Sequence, residues 1–239
     1  MSFAVLLVVA TVLVVRLVDH HVSASAALER RTGPAVSALL AGIPQRGSEL
    51  GRANAPVALE IYADLKDPDC RDWFDNRLPA IVRDYVRTGV LRIQFHSYKT
   101  NTFSPQEFVK QQTAALAAGA RNKLWNFIAT FYREQGSEFS DYVTEGYLDG
   151  IAKQVPGLNL AQWRIDRQTG RREEAVTEED RAARALGLHV TPSFRIGRTG
   201  RIMKDLTGHS ITKYGEQHPI ALPTAEDVGK AIEELGVGG

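Results

Sequence analysis

Residues 57–70 constrain this chain more than any other stretch. Val57-Ala58-Leu59-Glu60-Ile61-Tyr62-Ala63 alternates with period two, the pattern of a strand. Asp67-Pro68-Asp69-Cys70 then opens a helical run in which Phe74, Leu78, Ile81, Val82 and Tyr85 recur at helical spacing. Aspartate accepts the free amide donors of a helix start, and proline fits the first helical position, where no donor is needed. Cys70 is the only cysteine in 239 residues, so no intrachain disulfide can brace the fold.

The length suits one domain with an insertion, or one domain plus a tether. A net charge of +1 gives no electrostatic footprint for nucleic acid. No zinc-finger spacing, Walker loop, GxGxxG or internal repeat occurs, and no metal or cofactor is expected. Phe3 to Val15 is unbroken apolar or neutral sequence, followed by Arg16 and Leu17-Val18. That length lies between a signal-peptide core and a short membrane span, and Ala24-Ser25-Ala26 resembles a signal-peptidase site. A transmembrane anchor or a cleaved signal over residues 1–22 is expected, with the remainder outside the cytoplasm. The positive charges Arg16, Arg30 and Arg31 follow the apolar run rather than precede it, which is awkward for that orientation. His20-His21 is read as marking the membrane edge, not a metal site.

Residues 23–56 read as a juxtamembrane helix (Ala24 to Ile43) and a linker (Pro44 to Pro56). Pro79 should kink the helix that runs from Asp67 to Arg87, and Gly89 should end it. Val90 to His96 is a second strand, with Leu91, Ile93 and Phe95 on one face. Helices follow over Pro105–Gly119, Asn122–Gln135, Val143–Gln154, Leu160–Gln168 and Glu173–Leu186. The mixed charges from Arg167 to Arg184 read as a solvated face. Ser193–Ile196 and Arg201–Leu206 form a hairpin around Thr199-Gly200, and Thr224 caps a last helix to Leu235. The elements alone predict an α/β fold with an inserted helical bundle.

Four motifs in order carry a resemblance. They are Gly51 with Ala55-Pro56-Val57; Tyr62-Ala63-Asp64-Leu65 leading to Asp67-Pro68-Asp69-Cys70; Ala114-Ala115 to Gly119 with Leu124-Trp125-Asn126-Phe127; and Gly187-Leu188-His189-Val190-Thr191-Pro192-Ser193-Phe194. From about Gly42 to the C-terminus the chain resembles DsbA-like thioredoxin-fold proteins. The resemblance implies a thioredoxin-like domain at 57–103 and 187–239, with an inserted helical domain at 104–186. It implies a membrane-tethered or exported protein of thiol–disulfide exchange. The exposed nucleophilic cysteine of that family corresponds in position to Asp67, and the resolving cysteine to Cys70. The substrate-facing loop corresponds to Val190-Thr191-Pro192, with a cis peptide bond before Pro192. An acid often underlies the dithiol, where this chain has Ile61; Glu60 is adjacent but should point to the other face.

A carboxylate at Asp67 can hold the helix start where a thiolate would sit. Cys70 reads as a buried, inert thiol, its ionisation opposed by burial and by Asp67, Asp69 and Asp72. His189 lies near enough in sequence to Thr191 to be a candidate partner for Cys70, although most loop histidines are surface residues. The first reading of function is therefore a degenerate member that binds a polypeptide or a membrane-protein complex, as a chaperone-like or assembly subunit. The alternative is a monothiol oxidoreductase using Cys70. A structural accessory subunit docking through its helical insertion is a third.

Overall fold

The computed structural model describes residues 38–208, 211–212 and 220–237. The expected anchor or signal, His20-His21 and residues 24–37 of the expected juxtamembrane helix lie outside the described residues; residues 38–40 of it are helical. Among the described residues, no helix is long and apolar enough to cross a membrane.

The centre of the fold is the strand–helix–strand unit anticipated from the alternating runs. Strand β3 (Val57–Ala63) pairs in parallel with β4 (Leu91–Ser97), Val57 opposite Leu91 and Ala63 opposite Ser97. β4 buries Leu91, Ile93 and Phe95 and leaves the alternate residues half-buried, as its pattern requires. Strand β5 (Ser193–Arg198) runs antiparallel along the other edge of β3, and β6 (Lys204–Asp205) continues the hairpin turned at Gly200.

Residues 44–56, expected as linker, instead supply the opposite edge. β1 (Gln45–Arg46) and β2 (Glu49–Leu50) form a small hairpin, and β2 pairs antiparallel with β4. The sheet order is thus β1-β2-β4-β3-β5-β6. The Gly- and Pro-rich composition misled because these strands are two residues each. Their glycines serve the bends. Gly51 has φ of 108° and a Cβ there would lie 3.0 Å from the Leu91 carbonyl oxygen. A separate short ribbon, β7 (Ile211–Thr212) with β8 (Ile220–Ala221), was not anticipated.

Helix α1 (Pro68–Asn76) packs Cys70, Trp73 and Phe74 onto the sheet, and the Trp73 indole donates to the Pro223 carbonyl at 3.0 Å. It stops three residues before Pro79, whose missing N–H cannot continue the ladder. The chain resumes as α2 (Leu78–Ile81) and a π-helical turn (Val82–Val86). Between β4 and β5 come α3 (Pro105–Gly119), α4 (Leu124–Arg133), α5 (Glu145–Gln154), α6 (Leu160–Arg167) and α7 (Gly170–Ala185). These helices share one hydrophobic core with the sheet: Phe74 packs on Trp125 and Tyr132, and Phe127 on Trp163. Helix α8 (Ala225–Glu234) closes the described chain behind the Thr224–Asp227 capping box.

The charged helix α7 is more than a solvated face. Glu179 accepts from the Ser97 amide and Asp180 from the Lys99 amide, each at 2.8 Å. Arg184 donates to the Lys99 carbonyl and lies over the Tyr98 ring. The C-terminal end of β4, where the chain leaves the sheet, is thereby fixed by side chains from the insertion.

Candidate functional site

The site forms where β3 ends, α1 begins and the loop before β5 crosses over. Asp67 is the N-cap of α1, in extended conformation (φ −76°, ψ 121°), and its Oδ1 accepts from the Asp69 amide at 2.8 Å. Its Oδ2 accepts from the Thr191 hydroxyl, which also meets the Thr100 hydroxyl. The Thr191–Pro192 peptide bond is cis. A hydrogen-bonded chain therefore runs from Thr100 through Thr191 to Asp67 and the start of α1.

Asp67 is only 1% exposed. Burial pushes its carboxyl up to about 7, and the charges of Asp69 and Asp64 push the same way; the Thr191 hydroxyl and the Asp69 amide pull it down. Burial wins over the cap. The acid is near half-protonation at neutral pH rather than firmly ionised.

One turn on, Cys70 is fully buried. Burial raises its thiol well above the ordinary value, and the Asp67 charge adds to this; hydrogen bonds with the Asp64 backbone and the Thr191 side chain oppose it only partly. Burial likewise raises the Tyr132 hydroxyl, which donates to the Asp64 carbonyl at 3.2 Å and abuts Cys70.

Beneath these groups lies an acid that sequence reasoning sought three positions too early. Ile61 is core, and Glu60 does point away, accepting from the Tyr62 hydroxyl. The buried acid is Asp64, just past the strand. Its carboxylate accepts six hydrogen bonds, from the amides of Lys66, Thr100, Asn101 and Thr102, the Thr102 hydroxyl and the Gln111 amide nitrogen. The signal was present, an aspartate between Ala63 and Leu65 in an otherwise apolar run. Lys66, 2% exposed, was also missed; it bonds the Glu107 carboxylate and the Ser140 carbonyl, each at 2.9 Å. These contacts tie α3 and the loop before α5 to the start of α1.

Of the expected site residues, Asp67, Cys70, Thr191 and Pro192 come together. Val190 stands exposed at the lip of the loop, while Thr191 and Pro192 are buried. His189 is exposed at the surface and is not a partner for the buried Cys70. Beside the site, Phe103 and Phe139 are 72% and 77% exposed, with ring centroids 6.3 Å apart. Their loops are held to the site by Asn101, which bonds both Asp64 and Glu138. Among the described residues no cluster of histidine, cysteine, aspartate or glutamate could hold a metal ion.

Residues 45–213 match the family model described as Thioredoxin. A curated relative named probable disulfide bond formation protein D, from Bacillus cereus, is 26% identical over 60% of this chain and 67% of its own length. Disulfide bond formation protein D of Bacillus subtilis is 21% identical over 69% of this chain and 72% of its own. The solved structure of oxidised BdbD from Bacillus subtilis superposes with a TM-score of 0.61 at 16% identity, covering 81% of this chain and 96% of that one. DsbA of Chlamydia trachomatis gives 0.61 at 14% identity, covering 79% and 91%. The structural neighbours are DsbA-like, and the inserted helices are part of that likeness.

Proposed function

The chain belongs to the thioredoxin family, and from that premise we propose that it is a member whose site has exchanged turnover for binding. It captures a polypeptide, free or as part of a membrane-protein complex, at the face formed by Val190, Phe103 and Phe139. The observation that carries this reading is the seat of Asp67. A carboxylate caps α1 and holds Thr191, one turn before a lone, fully buried thiol. Dithiol exchange needs an accessible low-pKa thiolate and a second sulfur to resolve the mixed disulfide. Here the only thiol is inaccessible and its ionisation is opposed by burial. The same facts weigh against a monothiol enzyme built on Cys70.

Exposed aromatic rings held on anchored loops suit recognition of apolar segments in an extended chain. Tethering by residues 1–22 would place this face outside the cytoplasm, where unfolded exported chains and membrane-protein subunits occur. The test has two arms. Insulin reduction should proceed no faster than in buffer. A fluorescent, reduced and carboxymethylated polypeptide should bind saturably, and Phe103→Ser with Phe139→Ser should weaken it at least tenfold. Robust dithiol turnover, or binding indifferent to both substitutions, would sink the proposal.

A further inference from the structure

The exposed rings of Phe103 and Phe139 have acids for neighbours. Phe139 follows Glu138, and Asn101, two residues before Phe103, donates to the Glu138 carboxylate at 2.7 Å. The loop that carries Glu138 and Phe139 is pinned to the start of α1 from both ends. Gln135 donates to the Leu65 and Asp67 carbonyls, at 2.8 and 3.0 Å, and the Lys66 ammonium donates to the Ser140 carbonyl. Asp69, in the first turn of α1, is thereby brought close to this loop. Burial raises its carboxyl, and the charges of Asp72 and Glu138 raise it further.

The basic groups nearby are engaged elsewhere. The Lys66 ammonium is buried against Glu107 at 2.9 Å. Burial raises the Asp75 carboxyl, and Arg133, 3.7 Å from it, and Arg71 oppose that rise. Among the described residues Asp69, Asp72 and Glu138 form no ion pair. One Asp72 oxygen accepts from Asn76 and the other is enclosed, so Asp72 contributes its field alone. Asp69 and Glu138 are half-buried and can meet a ligand. An acidic segment laid across the two rings would be repelled. A lysine or arginine fits twice over: its aliphatic stem covers a ring while its charge meets a carboxylate, and the ring face itself attracts a cation.

We propose that the occupant of this face is an apolar polypeptide segment interrupted by lysine or arginine, and that Asp69 and Glu138 select it over acidic segments of equal apolarity. The inference rests on the reading of Val190, Phe103 and Phe139 as a polypeptide site, and adds the sign of the charge that the polypeptide carries. Asp67, 1% exposed, takes no part in the contact.

The test uses the full chain and three fluorescent peptides with leucine and phenylalanine at the same positions and lysine, serine or glutamate between them. Fluorescence anisotropy at neutral pH and low salt should rank lysine above serine above glutamate, with about tenfold between the first and the last. The gap should close at 1 M salt, where charges are screened beyond about 3 Å. Asp69→Asn with Glu138→Gln should bring the lysine and glutamate peptides to within about twofold of each other and leave the serine peptide as it was. Phe103→Ser with Phe139→Ser should weaken all three. If the charge variant does not fold, the salt series on the unaltered protein decides the matter. Peptides that bind equally, yet weaken with the phenylalanine substitutions, would overturn selection by charge and leave the polypeptide site standing. A lysine preference that survives Asp69→Asn with Glu138→Gln would overturn it as well. Absence of saturable binding would remove both readings, as would a dimer of the protein alone that Phe103→Ser with Phe139→Ser dissolves.

Discussion

Replacing Asp67 with asparagine should stabilise the fold above neutral pH and leave it nearly unchanged near pH 4. Asparagine keeps the size of the side chain and its capping oxygen for the Asp69 amide. Its amide nitrogen can donate to the Thr191 oxygen, as the protonated acid does. What it lacks is the ability to ionise. The Asp67 carboxyl is raised from 3.8 to about 7 in the folded protein. The folded state therefore holds a proton that the unfolded chain releases. This favours folding fully below pH 3.8 and is lost progressively as pH rises to about 7. The shift of roughly three units, at about 1.4 kcal/mol each, makes the buried acid cost roughly 4 kcal/mol above pH 7. That is a large fraction of an ordinary domain's stability. Urea unfolding followed by the fluorescence of the buried Trp73, Trp125 and Trp163 measures it. Subtracting wild type from variant cancels the other titrating groups. The difference should grow from near zero at pH 4 to a few kcal/mol in favour of Asp67→Asn at pH 8. A difference that does not vary with pH, or a variant less stable at pH 8, would refute the account of Asp67.

Asp67→Cys should form a disulfide with Cys70 on mild oxidation, seen as the loss of two hydrogens in intact mass, and should gain measurable insulin reduction; a folded variant that stays reduced would count against the placement of the site. Cys70 of the native protein should react with a maleimide only as fast as the fold opens, and labelling within seconds at pH 7 would contradict its burial. Lys66→Met leaves Glu107 buried without its cation and should destabilise by about 3–5 kcal/mol, with Glu107→Leu in the same chain recovering most of the loss in urea unfolding. Gly51→Ala places a Cβ against the Leu91 carbonyl at positive φ and should cost on the order of 1–3 kcal/mol, measured the same way; a neutral effect would show that the β2 edge yields.

The parts of the fold legible in the sequence are those whose signal is periodic. β3, β4 and the helices of the insertion announced themselves by spacing, and Thr224 with Asp227 by a local cap. β1 and β2 did not, because a two-residue strand has no period; their evident features, Gly47, Gly51 and Pro44, look like linker. At the site, Asp67, Cys70, Thr191 and Pro192 were found through the order of motifs, which fixes position in the chain. Asp64 and Lys66 were missed because their meaning lies in partners far along the chain, Thr102, Gln111 and Glu107, that no local pattern joins to them. The environment of Asp67 was misjudged for a related reason. Local reasoning gives a helix cap its favourable amides but not the depth at which the helix starts.

That depth bears on what the site can do. A carboxylate at a solvent-exposed helix start would merely replace one anion with another. At 1% exposure it becomes a pH-dependent joint between α1 and the loop before β5, since Thr191 meets an acceptor when the acid is ionised and a donor when it is neutral. Either hydroxyl can be the donor in the contact between Thr100 and Thr191, and the Thr100 amide donates to Asp64. Protonation of this one buried acid would reverse the direction of a hydrogen-bond chain that ends at the loop bearing Phe103. If that face captures polypeptides, its affinity should change between pH 6 and pH 8 in the wild type and stay level in Asp67→Asn. Affinity that varies with pH equally in both proteins would separate the binding face from Asp67 and leave the acid with a structural role alone.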